Sequence, residues 1–283
     1  MIPKGKLIII GGAEDKGEQH LQIASQNAQF SDMEILKRLV PEGSPESRIE
    51  VITTASNIPD KVRSMYERAF SKVGFKNIGF IDIQDKQEAR EEKHLKRLAK
   101  AHTVLFTGGD QYKIATIIGG TPFADAIVDK YYKDRNFIVA GTSAGAMVLS
   151  KIMIQRGGTQ EALFETDLRT SSGLGLLQDC IVDTHFVKRG RFGRLAHAVV
   201  SNPGQLGIGL GEDTALLISK GNEAECLGSG MVVIIDGTHI NQTNIHTVEE
   251  SCPIYVENLR VHLLVKSCVF KIAEHELVIP KGC

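Results

Sequence analysis

Short apolar runs alternate with stretches of helical periodicity along the first part of this chain, and that alternation limits the fold more than any other feature. Leu7–Ile10, Ile49–Thr53, Ile78–Ile83, Thr103–Phe106 and Phe137–Ala140 read as buried strands. Between them, Ile58, Val62, Met65, Tyr66, Ala69, Phe70 and Val73 recur on one helical face, with Pro59 near the start where proline is tolerated. Glu88–Lys100 is dense in charge and offers Leu95, Leu98 and Ala99 as an inward face. Strands buried on both faces and joined by helical crossovers predict an α/β fold, a mostly parallel central sheet flanked by helices.

From about Gly204 the texture changes. "GIGL", "TALLIS", "ECLG", "MVVII", "NIHTV" and "RVHLLV" read as short strands, and Asp236-Gly237 after "MVVII" signals a hairpin. No long linker separates these pieces from what precedes them. The expectation is one domain over 1–283, with about 230–283 as its β-rich C-terminal extension.

Composition removes several classes of function. With 33 Lys/Arg against 34 Asp/Glu, the formal charge is −1, so no global field attracts nucleic acid or anionic lipid. Neither a nucleic-acid nor a membrane partner is expected. The longest apolar runs fall far short of a membrane span. Five cysteines, odd in number and without a CxxC pair, read as reduced thiols of a cytoplasmic protein. No H-E-x-x-H or paired Cys/His spacing exists, so neither a metal nor another cofactor is expected.

Three strand ends carry small residues: "IIIGGAED", "LFTGGDQ" and "IVAGTSAG". Open parallel sheets bind ligands at the carboxyl ends of their strands, where such corners gather. The first has the glycine spacing of a phosphate loop from Gly12 to Gly17, but Glu18-Gln19 follows where Lys-Ser/Thr is needed. Glu14 and Asp15 would also repel phosphate, so this corner reads as a turn.

The third corner, Gly141-Thr142-Ser143-Ala144-Gly145, matches G-x-S-x-G. It is either a packing turn or an elbow that displays Ser143. In an elbow, small flanking residues are required, and the next backbone N–H, that of Ala144, faces an incoming carbonyl oxygen. The helix expected after it would add positive potential. A second oxyanion donor would come from Gly109 or Asp110.

A nucleophilic serine needs a base and an orienting acid. Of the nine histidines, His185 has the best context, at the end of the strand Cys180–Asp183. For the acid, Glu212 and Asp213 follow an apolar run, and Glu161 is a rival nearer the elbow. Asp183 is expected near the base or the substrate. Arg189, Arg191 and Arg194, beside Lys188, form either a solvated face or a carboxylate-binding cluster.

Taken together, "LIIIGGAEDK", "FTGGDQ", "GTSAGA", "DTHFVKRGRFGRL" and "GLGEDTAL" resemble the cyanophycinases, serine exopeptidases in the superfamily of aspartyl dipeptidase (peptidase E). The resemblance covers roughly positions 7 to 220. It implies a sandwich related to class I glutamine amidotransferases, a homodimer, and cleavage of cyanophycin. That polymer has a poly-aspartate backbone with arginine on each β-carboxyl, and cleavage releases β-Asp-Arg dipeptides. By motif, Ser143 matches the nucleophile, His185 the base and Glu212 the acid, with Glu161 as second choice. Gln111, Asp183, Arg189, Arg191 and Arg194 match substrate-binding positions. Thr184 stands where the family can carry glutamine. Two other readings stay open: an aspartyl dipeptidase acting on α-Asp-X, and a non-catalytic protein using the corners as a ligand cradle.

Overall fold

The computed structural model describes residues 1–17, 30–40, 47–158, 163–164, 167–249 and 252–278. The first half winds β1 (Lys6–Ile10), α1 (Glu34–Leu39), β2 (Arg48–Ile52), α2 (Pro59–Lys72), β3 (Ile78–Ile81), α3 (Glu92–Lys100), β4 (Ala101–Phe106), α4 (Gln111–Ile118), α5 (Pro122–Lys133) and β5 (Ile138–Thr142). The one-turn helix α6 (Ala144–Met147) follows, then the hairpin β6 (Ile152–Gly157) and β7 (Leu168–Ser172), β8 (Cys180–Asp183) and α7 (Phe192–Ser201). The remaining strands are β9 (Leu206–Leu210), β10 (Thr214–Ser219), β11 (Glu223–Gly228), β12 (Val232–Asp236), β13 (Gln242–Thr243), β14 (Val256–Glu257), β15 (Arg260–Leu264), β16 (Val269–Lys271) and β17 (Glu276–Val278).

The central sheet runs β17-β16-β11-β10-β1-β5-β4-β2-β3. β1, β5, β4, β2 and β3 are parallel, and β10, β11, β16 and β17 extend them antiparallel. Side chains alternate across the strands. Leu7 and Ile9 join a core with α4, α5 and the second sheet, while Ile8 and Ile10 join a core with α1 and α2. That second sheet runs β15-β12-β9-β8, and β13 and β14 pair as a two-stranded sheet of their own.

Local departures have identifiable causes. Glu88–Arg90 is a 3₁₀ turn, and Glu91 is extended before α3 begins. The break resets the helical phase, so His94 rather than Ala99 turns inward beside Leu98. Asp236-Gly237 does not make a hairpin. The Asp236 carboxylate accepts the Thr238 N–H at 2.9 Å and its hydroxyl at 2.7 Å, which closes a side-chain turn. β12 pairs instead with β9 and β15. "NIHTV" is a turn, with Thr247 and Val248 N–H both donating to the Asn244 carbonyl.

Candidate active site

β10 runs antiparallel to β1, so its start lies at the same sheet edge as the ends of β1, β4 and β5. This brings Gly11-Gly12, Gly108-Gly109, Ser143 and Glu212 together, and the end of β8 adds His185. The Gly11-Gly12 corner is the hub. Ser143 N–H donates to the Ile10 carbonyl at 3.0 Å, His185 N–H to that of Gly11 at 2.9 Å, and Asp213 N–H to that of Gly12 at 2.9 Å. One short loop thus fixes three distant segments. Sequence reading treats this corner as a plain turn. Its signal is the glycine pair itself, because Gly12 has φ +97° and an added Cβ would lie 2.5 Å from the His185 ring.

Ser143 occupies φ 53°, ψ −119°, a sparsely populated conformation, and His185 and Asp213 also have positive φ. Both elbow glycines are required by close backbone approach. A Cβ on Gly141 would meet the Gly145 carbonyl oxygen at 2.1 Å, and one on Gly145 would meet that of Phe106 at 2.1 Å.

Ser143 Oγ lies 3.0 Å from His185 Nε2, and His185 Nδ1 lies 2.7 Å from Glu212 Oε1. An ionised carboxylate only accepts, so Nδ1 carries the proton and Nε2 is free to accept from the serine hydroxyl. Lys188, a residue to which the sequence assigns no role, donates to Glu212 Oε2 at 2.9 Å. Burial pushes the Glu212 carboxyl up, but its hydrogen bonds from Lys188 and His185 outweigh that and hold it below the ordinary carboxylate range. Asp213, the neighbouring candidate, faces away. It accepts Asp15 N–H at 2.9 Å and the Ser229 hydroxyl at 2.6 Å. Glu161 lies outside the described residues.

Among the oxyanion candidates, Asp110 is corrected. Its N–H donates to the Ala55 carbonyl at 3.1 Å and its side chain caps α4. The amides of Ala144 and Gly109 have no acceptor among the described residues. Gly109, at φ +142°, passes so close to Ala55 that a Cβ would meet its carbonyl oxygen at 2.0 Å. α6 is a single turn, so it supplies little of the helix dipole expected after the elbow.

Of the basic cluster, which the sequence offers as a solvated face or a carboxylate-binding group, Arg191 and Arg194 meet Asp183. Asp183 is fully buried. Arg191 Nη1 donates to its Oδ1 at 3.1 Å and to the Thr184 carbonyl at 2.7 Å. Arg194 grips both oxygens, Nε to Oδ2 at 2.8 Å and Nη2 to Oδ1 at 2.5 Å. These two guanidinium groups lock β8 to α7, because a buried carboxylate demands compensation before any ligand does. Arg189 is exposed and does not line the cleft. The Gln111 side-chain amide donates to the Ile154 and Gln155 carbonyls, tying α4 to β6. Thr184 is buried, and its hydroxyl has no partner among the described residues.

Ser143 and His185 open into a cleft of about 240 Å³. Its wall includes Glu14, whose Oε1 accepts from Tyr66 Oη at 2.6 Å and whose Oε2 accepts from Thr142 Oγ1 at 2.7 Å. Burial would raise this carboxyl, yet Lys16, Tyr66 and Thr142 together bring it down to about 2. The larger described cavity, about 400 Å³, lies at the opposite sheet edge, near Lys6, His102 and Ile138. Ser47 also lines it, but Ser47 Oγ and His102 Nδ1 are buried without a hydrogen-bond partner among the described residues.

The sequence from 7 to 226 matches the model of peptidase family S51. The chain belongs to that family. Its S51 relatives include the cyanophycinase of Synechococcus elongatus, 32% identical over 97% of this chain and 81% of that protein. The cyanophycinase of Trichormus variabilis is 33% identical over 92% of this chain and 83% of that protein. A solved peptidase from an acI-B1 actinobacterium shares the fold, with a TM-score of 0.64 and 20% identity over 96% of this chain and 97% of that one. This S51 chain is therefore a serine-type peptidase, a hydrolase of peptide bonds.

Proposed function

We propose that this peptidase is a cyanophycinase, releasing β-Asp-Arg dipeptides from cyanophycin through an acyl-enzyme. The observation that carries the reading is the unbroken hydrogen-bond chain Ser143–His185–Glu212 in a protein a third identical to cyanophycinases. In this reading His185 Nε2 takes the Ser143 proton as Oγ bonds to a backbone carbonyl carbon of the aspartate chain. The Ala144 and Gly109 amides donate to the oxyanion. The C–N bond then breaks, and His185 returns the proton to the leaving amine. Water, deprotonated by the same imidazole, cleaves the ester and frees Ser143. Glu212, kept ionised by Lys188, holds the ring in the required tautomer.

The test is incubation with purified cyanophycin and mass analysis of the products. β-Asp-Arg is expected, and Ser143→Ala should lower turnover by about a thousandfold or more with an unchanged melting temperature. Cleavage of α-Asp dipeptides but not of the polymer would point to the dipeptidase reading. Failure of a fluorophosphonate to label Ser143 would point to a binding protein. A single domain, a homodimer and a cytoplasmic location belong to the same proposal. One hydrophobic core running through both sheets supports the first, and size-exclusion chromatography tests the second.

A further inference from the structure

Lys16 is the only lysine or arginine among the described residues lining the cleft. Its side chain is 13% exposed. The ammonium lies 2.9 Å from Glu14 Oε1, donates to the Glu14 carbonyl at 3.3 Å and sits 5.3 Å from the centroid of the Tyr66 ring. Glu14 accepts from Lys16 and Tyr66 at Oε1 and from Thr142 at Oε2. An ammonium has three N–H donors. Glu14 holds two, and the third has no protein acceptor among the described residues.

We propose that Lys16 is the specificity residue of this cleft, taking a carboxylate of the substrate, with Glu14 and Tyr66 as positioning residues that fix its ammonium relative to Ser143. This rests on the hydrolase reading and deepens it. In a poly-aspartate whose β-carboxyls all carry arginine, the free carboxylates are those of the arginines and the one at the chain's C-terminus. A cation lining the same cleft as the nucleophile reads such a group. Glu14, which pairs with it, also accepts from Thr142, the residue before Ser143. Recognition therefore shares one rigid support with the elbow.

The experiment compares kcat/KM of the wild type, Lys16→Met and Lys16→Arg on three short arginylated aspartate oligomers: the free acid, its C-terminal amide, and the form with arginine amides. The wild type should prefer the free acid over one of the amides. The amide that loses activity identifies which carboxylate Lys16 reads. Lys16→Met should lower kcat/KM on the acid by about 10- to 100-fold and bring the acid-to-amide ratio close to one, while Lys16→Arg keeps a preference of the same sign. An unchanged ratio in Lys16→Met overturns the proposal. So does an equal loss on all three substrates accompanied by slower fluorophosphonate labelling of Ser143, which would mark a packing role. If the wild type neither labels nor cleaves, the hydrolase reading falls and this inference with it. Labelling and cleavage with an unaltered ratio remove only the role of Lys16.

Discussion

At the scale of single residues, the site depends on backbone contacts that leave no room for a side chain. Gly12 touches the His185 ring, so Gly12→Ala should push the imidazole off Ser143. A loss of kcat of about 100-fold or more is expected together with a lowered melting temperature, because φ +97° strains any side chain there, read by kinetics and melting on the same preparation. Glu14 gives a pH prediction. The unfolded chain takes up its proton near the ordinary 4.5, whereas the folded chain takes it up only near 2. Its stabilisation is therefore complete above 4.5 and is lost as pH falls toward 2. At neutral pH it is on the order of 3 kcal/mol. The melting-temperature gap between wild type and Glu14→Gln should be widest above pH 5 and shrink steadily toward pH 2. A gap independent of pH would show that Glu14 is not held ionised.

At the scale of elements, β8 and α7 are joined through charge as well as through apolar packing. Asp183 is fully buried, and Arg191 and Arg194 are 13% and 9% exposed at their side chains. Burial draws the Arg191 guanidinium down from its ordinary range, while Asp183 opposes that. Asp183→Ala would leave two largely buried cations without their anion and should cost about 3–5 kcal/mol in urea unfolding. Asp183→Asn keeps the shape and one acceptor oxygen, and should cost less. Because His185 follows β8 by two residues in the chain, activity should fall along with stability in the alanine variant. The ion pairs tie the strand that precedes His185 to the start of α7.

At the scale of the whole molecule, we propose that the β-rich tail belongs to the same domain as the site. β16 and β17 close one edge of the central sheet, and Phe270 on β16 is fully buried in the core that also holds Leu7, Ile9 and Leu216. Phe270→Ala should cost about 3–5 kcal/mol, with loss of soluble yield, although the residue lies on an outer strand of the sheet. A native-like melting temperature in that variant would show the tail to be an appendage. β10 has a second task, since its antiparallel direction delivers Glu212 to the parallel strands' carboxyl edge.

The sequence by itself determined the parallel strands; it left the Ser143 corner as a packing turn or an elbow and gave His185 the best context of the nine histidines. These follow from local patterns: two-sided apolar runs, small residues crowded around a serine, and a histidine at a strand end. The resemblance to a family singled out Glu212 over Asp213, which spacing alone could not do. Only the tertiary structure decided which charges face the cleft. Whether an arginine meets a ligand or a buried aspartate depends on what lies across the interface, and Asp183 claims Arg191 and Arg194 because its own desolvation must be offset first. The same holds for Gly11-Gly12, whose carbonyls bind amides from residues far along the chain. Hydrogen bonds between distant segments leave no periodic trace in the sequence, so their partners are known only once the chain has folded.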